Sequence, residues 1–202
     1  MKSVAKNFAK KTTMVLFLCK ELNIFTTHVN TVEKDLFTKV EEKMETRNKI
    51  DQILESTDPV ANKLKSLCNL LKNSIPHFHW VGFYFVHGNR KELKLSEFAG
   101  KPTEHTIIPF GKGICGQVAV SNQNFVVQDV SEQDNYISCG IDVKSEIVVP
   151  IFVNGRNIGQ IDIDSHDVAP FTQEDEMLLE YVCERVSQLD LNPILESSAS
   201  EV

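Results

Sequence analysis

The spacing of apolar residues changes once along this chain, and that change limits the folds available to it. From Val32 to Asn73 apolar residues recur every three or four positions, which is the period of an amphipathic helix. From His79 onward, short runs rich in β-branched and aromatic residues follow one another, separated by turn-forming residues. A helical first part followed by a series of strands predicts an α+β protein.

Turn and cap signals divide the helical pattern. The stretch Ser56–Pro59 interrupts it, and Asp58 followed by a proline is typical of an N-cap and a first helical residue. Pro76 is expected to end the second helix. A last helix is predicted from Gln173 to about Leu189, with Thr172 as its N-cap.

The strand-like runs predict a mainly antiparallel sheet with the helices packed on one face. HWVGFYFV and ELKLSEF flank a Gly88-Asn89 turn, and EIVVPIFV and NIGQIDID flank a tight Asn154-Gly155 turn, so both pairs are predicted hairpins. TIIPF and NFVVQDV supply further predicted strand segments, and GKGICG is expected to open a short helix. We predict an N-terminal extension over 1–44, partly helical or disordered, one domain over 45–190, and a disordered tail over 191–202.

Composition excludes several classes of function. The net charge of −7 and the absence of a basic stripe in the second half argue against nucleic-acid binding. No apolar run approaches the roughly 20 residues of a membrane-spanning helix. Five cysteines at irregular spacing indicate reduced thiols and a cytoplasmic protein, with organelle targeting by the Lys-rich N-terminus left open. No CxxC motif or zinc-type histidine spacing occurs, so no metal site is expected.

Acidic residues in the last hairpin form the first candidate site. Asp162 and Asp164 alternate with isoleucines, so both project from one face of a strand. Counting back from the Asn154-Gly155 turn places Glu146 opposite about residue 163, close to the two aspartates. These acids either face water or line a pocket for a small cationic or ammonium-bearing ligand.

Aromatic residues and a glycine-rich turn form two more candidates. Trp80 and Tyr84 share a strand face, either as core residues or as an aromatic wall around a cationic or methyl-sulfur group. The turn GKGICG can direct backbone amides from Gly113 to Gly116 at an anion. Cys115 is predicted at a helix N-terminus, where the dipole lowers a thiol pKa.

The remaining cysteines differ in context. Cys139 lies in a polar loop ahead of the strand that Glu146 opens, and there it is a candidate nucleophile. Cys19, Cys68 and Cys183 lie within helical patterns, where a free cysteine is usually a small buried apolar residue.

Together these motifs resemble the free methionine-R-sulfoxide reductase family, which consists of single GAF-domain enzymes. The resemblance rests on WVGFY, Gly100-Lys101 ahead of IPFGKGICG, the Cys139 loop, KSEIVVPI, IGQIDID and FTQEDE, and it covers about residues 75–190. It implies a GAF fold and reduction of free methionine R-sulfoxide by a cysteine thiolate through a sulfenic acid. It also implies that no cofactor is bound and that thioredoxin recycles the enzyme; a homodimer is left open.

The resemblance also implies residue roles. Trp80 and Tyr84 would enclose the methyl-sulfinyl group, while Glu146, Asp162 and Asp164 would hold the ammonium group or polarise the sulfoxide oxygen. Backbone amides near Gly113, Ile114 and Gly116 would bind the substrate carboxylate. Cys139 would be the nucleophile and Cys115 a resolving thiol, with Glu146 as the neighbouring acid.

One position departs from the family pattern. Family members carry a cysteine where this chain has His105, and that cysteine usually forms the disulfide with the nucleophile. Either Cys115 or an external thiol would then resolve the sulfenic acid. The alternative is a catalytically impaired GAF module that binds a small amino-acid-like ligand as a sensor.

Overall fold

The chain forms two compact units, residues 1–47 and 48–202. The computed structural model describes residues 26–133 and 142–197 of them. The first helix, α1, runs over Thr26–Glu55, so its last turns belong to the second unit. No helix within the described ranges is long and apolar enough to cross a membrane.

Six strands form one sheet in which every neighbouring pair is antiparallel. The strands are β1 (Trp80–Val86), β2 (Glu92–Ala99), β3 (Ile107–Pro109), β4 (Phe125–Val127), β5 (Ser145–Val153) and β6 (Arg156–Ser165). Their spatial order is β3-β2-β1-β6-β5-β4. The predicted strands and the α+β class are confirmed, and the two predicted hairpins form.

Helices cover both faces of the sheet, whereas the sequence placed them on one. The helices are α2 (Val60–Ser74), α3 (Gly113–Ser121), α4 (Gln173–Val186) and α5 (Asn192–Ser197). The main core joins α2, α4, α5 and the end of α1 to one face of the sheet. The short helix α3 packs on the opposite face, over side chains such as Tyr84 and Val148. Because β1 and β5 carry apolar side chains on both faces, both faces need cover.

Two predicted helix boundaries differ from the structure. Pro59 itself occupies the N-cap position of α2, because the side chain of Asp58 is hydrogen-bonded to Ser56. Helix α4 starts after Thr172 in a capping box with Asp175, as its cap signal predicted, but it ends at Val186 rather than near Leu189.

The C-terminal segment also differs from its prediction. Residues 191–202 were expected to be disordered, yet α5 forms there. Leu191, just before the helix, and Ile194, within it, are buried in the main core. Two apolar side chains at this spacing give a short helix enough buried surface to hold it against the domain.

Candidate active site

Three buried carboxylic acids lie together on the sheet face that α3 covers. Glu146 is on β5 and directly opposite Asp164 on β6, while Asp162 is two residues before Asp164 on the same face. Only 2% of Glu146, 1% of Asp162 and 3% of Asp164 is exposed. The expected convergence of the three acids is confirmed, and the solvent-facing alternative is wrong.

A β-bulge aligns Glu146 with the aspartates. Simple counting from the Asn154-Gly155 turn paired Glu146 with residue 163, which is an inward-facing isoleucine. In the structure the register shifts between Ile151 and Phe152, because β6 contains one extra residue, Ile158, near the turn. A one-residue shift exchanges the two faces of a strand pair, so the bulge makes Glu146 the neighbour of Asp164.

Burial sets the protonation of these acids. It raises the pKa of Glu146 well above the ordinary value, and the charges of Asp162 and Asp164 raise it further. Burial likewise raises the pKa of Asp164, with Asp162 adding to the effect. Burial also raises the pKa of Asp162 to about 7, against a smaller opposing effect of a hydrogen bond with Cys115. The group can therefore hold protons at neutral pH.

Cys115 lies against these acids near the start of α3. Its thiol is placed to hydrogen-bond with the carboxyl group of Glu146 or of Asp162. The Cys115 sulfur and one carboxylate oxygen from each acid all lie within 4.8 Å of one another. From the sequence, the helix dipole was expected to lower the pKa of this thiol, and no metal site was expected. In the structure the thiol is next to acidic side chains, and its sulfur and two carboxylate oxygens are atoms that could bind a metal ion.

Trp80 and Tyr84 form a fixed aromatic wall beside the acids. Their ring centroids are 6.3 Å apart, and the Trp80 indole also stacks on Phe98 at 5.7 Å. The indole N–H donates to the Lys101 carbonyl at 3.1 Å, and the Tyr84 hydroxyl donates to the His105 carbonyl at 2.8 Å. These bonds satisfy the polar ends of both rings and leave their faces for contact.

Two glycines make room for the Trp80 indole. A Cβ atom at Gly82 or at Gly100 would lie closer than 3.0 Å to the indole. Gly100 also has a φ of 141°, which a residue with a side chain rarely adopts. The sequence analysis did not assign Gly82 a role; a glycine inside a strand is the signal that could have indicated a close contact.

The aromatic wall and the two aspartates line one cavity of about 580 Å³. Other lining residues were missed from the sequence, among them His79, His166, Lys101 and Asp142. The His79 and His166 rings stack at 4.1 Å, and Lys101 forms an ion pair with Asp142 at 2.9 Å. Their positions depend on loops around the sheet edge, and no residue spacing in the sequence indicates them.

The glycine turn lies to one side of this cavity. Gly113, Ile114 and Cys115 line a separate small cavity with Glu146 and His105. The Gly116 N–H already donates to the Lys112 carbonyl at 2.9 Å, and its predicted role in binding a carboxylate stays a prediction. The side chain at position 105 therefore lies beside the Cys115–Glu146 pair.

Two of the other four cysteines lie within the described residues, and both are core residues. Cys68 and Cys183 are buried, and burial raises the pKa of each thiol far above its ordinary value. Their prediction as small core residues is confirmed. Cys19 and the predicted nucleophile Cys139 lie outside the described residues.

Known proteins share the fold and about a third of the aligned sequence with this chain. Residues 53–189 match the GAF domain family. Over 152 residues the chain is 33% identical to the free methionine-R-sulfoxide reductase of Saccharomyces cerevisiae, with 69% of this chain and 84% of the yeast protein covered. The chain belongs to the free methionine-R-sulfoxide reductase family of GAF proteins. The resemblance found in the sequence is confirmed.

Two further relatives support this membership. The free methionine-R-sulfoxide reductase of Escherichia coli is 37% identical over 121 residues, which cover 60% of this GAF protein and 70% of the bacterial one. The crystal structure of the Neisseria meningitidis free methionine-R-sulfoxide reductase in complex with its substrate superposes with a TM-score of 0.64 at 35% identity. That superposition covers 76% of this chain and 89% of the other.

Proposed function

We propose that this protein reduces free methionine R-sulfoxide to methionine. The observation that carries the proposal is the cavity that joins an aromatic wall, Trp80 and Tyr84, to two buried acids, Asp162 and Asp164. An aromatic face suits the methyl-sulfinyl end of the substrate, and buried acids suit an ammonium group. Membership of a family whose named members are free methionine-R-sulfoxide reductases supports the same activity.

Recognition would depend on both charged ends of the free amino acid. Asp162 and Asp164 supply negative charge for the ammonium group when they are ionised. Amides at the start of α3, near Gly113 and Ile114, are candidates for the carboxylate because first-turn N–H groups have no partner within the helix. A methionine sulfoxide inside a peptide lacks both charges, so we expect it to be rejected.

The chemical step would use Cys139 and a buried acid. The Cys139 thiolate attacks the sulfoxide sulfur, and the sulfur–oxygen bond of the substrate breaks. The oxygen is transferred to the cysteine sulfur, which becomes a sulfenic acid, and methionine is released. The cysteine sulfur is oxidised by two electrons as the substrate sulfur is reduced. The oxygen needs a proton, and Glu146 or Asp162 can supply one because burial raises the pKa of each carboxyl.

Recycling would pass through Cys115. Its thiol displaces water from the Cys139 sulfenic acid, which gives a disulfide, and a thioredoxin dithiol then reduces that disulfide. The position of Cys115 beside Glu146 supports this role, because the acid can exchange the proton that the reaction moves. His105 cannot replace the family cysteine in this step, since imidazole forms no disulfide.

A coupled assay tests the proposal. Thioredoxin, thioredoxin reductase and NADPH are supplied with free methionine R-sulfoxide, and NADPH oxidation is followed. We expect turnover of the free R epimer and none of N-acetyl-methionine sulfoxide. Comparable rates on both substrates would rule out recognition through the free charges, and no turnover on either would rule out the activity.

Cysteine variants assign the two thiols. Cys139→Ser should release no methionine. Cys115→Ser should release one equivalent per chain and then stop under thioredoxin, while dithiothreitol restores cycling. Cys183→Ser removes a buried thiol remote from the site and serves as the control. Full single-turnover activity in Cys139→Ser would show that the nucleophile is wrongly assigned.

A ligand-binding module without turnover is the second candidate. The observation that favours it is His105, which stands beside Cys115 and Glu146 where the family pattern has a cysteine. This function predicts saturable binding of methionine sulfoxide by calorimetry, no methionine formed in a single turnover, and no NADPH oxidation in the coupled assay.

A further inference from the structure

The atoms of Cys115, Glu146 and Asp162 are arranged as metal ligands are. The thiol sulfur and one oxygen from each acid lie within 4.8 Å of one another, and all three residues are buried. Ligands of a tetrahedral zinc ion, bound at about 2.0–2.3 Å, lie roughly 3.3–3.8 Å apart. Because 4.8 Å is wider than this spacing, the three side chains would have to move closer together to bind one ion.

A second observation indicates that a ligand is needed beside this cluster. Asp164 lies directly opposite Glu146, is 3% exposed, and has an oxygen with no hydrogen-bond partner among the described residues. One oxygen of Asp162 is likewise buried and has no hydrogen-bond partner among the described residues. Buried carboxylate oxygens are normally satisfied, and a bound cation satisfies them without a hydrogen-bond donor.

We propose that Cys115, Glu146 and Asp162 bind one divalent transition-metal ion of the zinc class. A thiolate with two carboxylates favours zinc, cobalt or cadmium over magnesium or calcium, which prefer oxygen ligands alone. On binding, the Cys115 thiol and any protonated carboxyl of Glu146 and Asp162 release their protons to solvent. A metal–sulfur bond replaces the sulfur–hydrogen bond, with no change in oxidation state. Three protein ligands leave the fourth position open for water.

The ion would regulate the site rather than serve its reaction. Asp162 also lines the large cavity, which gives the ion a route from solvent and places it where the substrate ammonium would bind. A metal-bound Cys115 thiolate is also blocked as a disulfide partner. This inhibitory consequence rests on the proposed reductase function, whereas the binding of the ion does not.

Cobalt binding to the reduced full-length chain tests the site directly. A cobalt–thiolate bond gives a charge-transfer absorption that carboxylates alone do not produce. We expect one Co²⁺ per chain with this absorption, and displacement of the cobalt by Zn²⁺. If the wild-type protein with Co²⁺ lacks the charge-transfer absorption, the proposal is overturned.

Matched variants identify the ligands. Cys115→Ser should abolish the absorption and weaken Zn²⁺ binding in calorimetry by at least about 100-fold, since changes to outer-shell groups alone cost about 10–100-fold. Cys139→Ser and Asp167→Asn should keep both signals. Retention of the absorption in Cys115→Ser, or its loss in Cys139→Ser, would contradict the assignment.

A measurement on unaltered protein guards against a variant that does not fold. In mild denaturant, Zn²⁺ should slow the alkylation of Cys115 by iodoacetamide at least about 10-fold, because metal coordination blocks thiolate reactivity. Mass spectrometry measures the extent of alkylation over time. Alkylation of Cys115 at the same rate with and without Zn²⁺ would contradict the proposal. These readouts need no turnover, so failure of the metal site and failure of the reductase function remain distinguishable.

Discussion

At the scale of single residues, the buried acids link stability to pH. Asp162 has its pKa raised by burial to about 7 in the folded chain, against an ordinary value of 3.8. The folded state therefore binds more protons than the unfolded state between these values. The contribution of Asp162 to the free energy of unfolding is therefore greatest below about pH 4. It is lost as the pH rises from about 4 through 7, and the loss is a few kcal/mol at most.

Asp162→Asn should remove this dependence. We expect the variant to melt at a higher temperature than the wild type at pH 8 and to lose that advantage near pH 4, because an amide carries no charge to bury. Turnover should fall by about 10²–10⁴-fold if the acid supplies a proton. Melting curves from pH 4 to 8 and the coupled assay check both effects.

Asp167→Asn is the matched control, since Asp167 is exposed. It should leave melting temperature and turnover unchanged. Asp175 cannot serve as a control because it closes the capping box of α4 and contacts His77 at 3.2 Å. A wild-type melting temperature that rose with pH relative to the variant would contradict the raised pKa.

Site residues on regular strands could be predicted, and those on loops could not. The alternation of Asp162 and Asp164 with isoleucines fixes their shared face, and the four-residue spacing of Trp80 and Tyr84 fixes theirs. His79 directly precedes β1 and His166 directly follows β6, and the two residues meet because these strands pair antiparallel. The pairing of β1 with β6 cannot be predicted from the two histidines themselves.

At the scale of elements, β1 is shaped to hold one side chain. Trp80 is the chain's single tryptophan, and Gly82 leaves the space above the strand that its indole occupies. Gly82→Ala should push the indole out of the cavity wall. We expect a shift of the tryptophan emission spectrum and a rise in KM of about 10-fold or more, consistent with loss of an aromatic contact worth about 1–2 kcal/mol.

Val86→Ala, at the far end of β1, provides the comparison. It removes apolar surface from the same strand without touching the indole, so it should lower stability and leave the emission spectrum unchanged. Identical spectra and KM values for Gly82→Ala and wild type would show that the indole does not depend on this glycine.

The hairpin of β5 and β6 shows where element prediction stops. The Asn154-Gly155 turn was predictable because both residues have positive φ, 51° and 76°, which asparagine and glycine tolerate. The bulge at Ile158 was not predictable, since the residues around it make tertiary contacts such as the 3.0 Å bond from the Asn157 side-chain amide to the Asn122 side chain. That one residue decides which side of the sheet receives Glu146.

At the scale of the whole molecule, the C-terminal segment supports the site from behind. Helix α5 contacts β1, the strand whose other face carries Trp80 and Tyr84. Leu191 is 5% exposed and Ile194 is 8% exposed, both in the main core. The segment 191–197 is therefore part of the domain, because two of its residues are buried in the main core.

Truncation after Asp190 should consequently destabilise the domain. Removing Leu191 and Ile194 exposes apolar surface worth roughly 3–6 kcal/mol, a large share of the 5–15 kcal/mol that holds a typical domain together. We expect a clear fall in the urea midpoint of unfolding and a change in Trp80 emission at lower urea. Truncation after Ser197 retains α5 and should behave as the full chain does. Equal midpoints for the two truncated chains would show that α5 adds no stability.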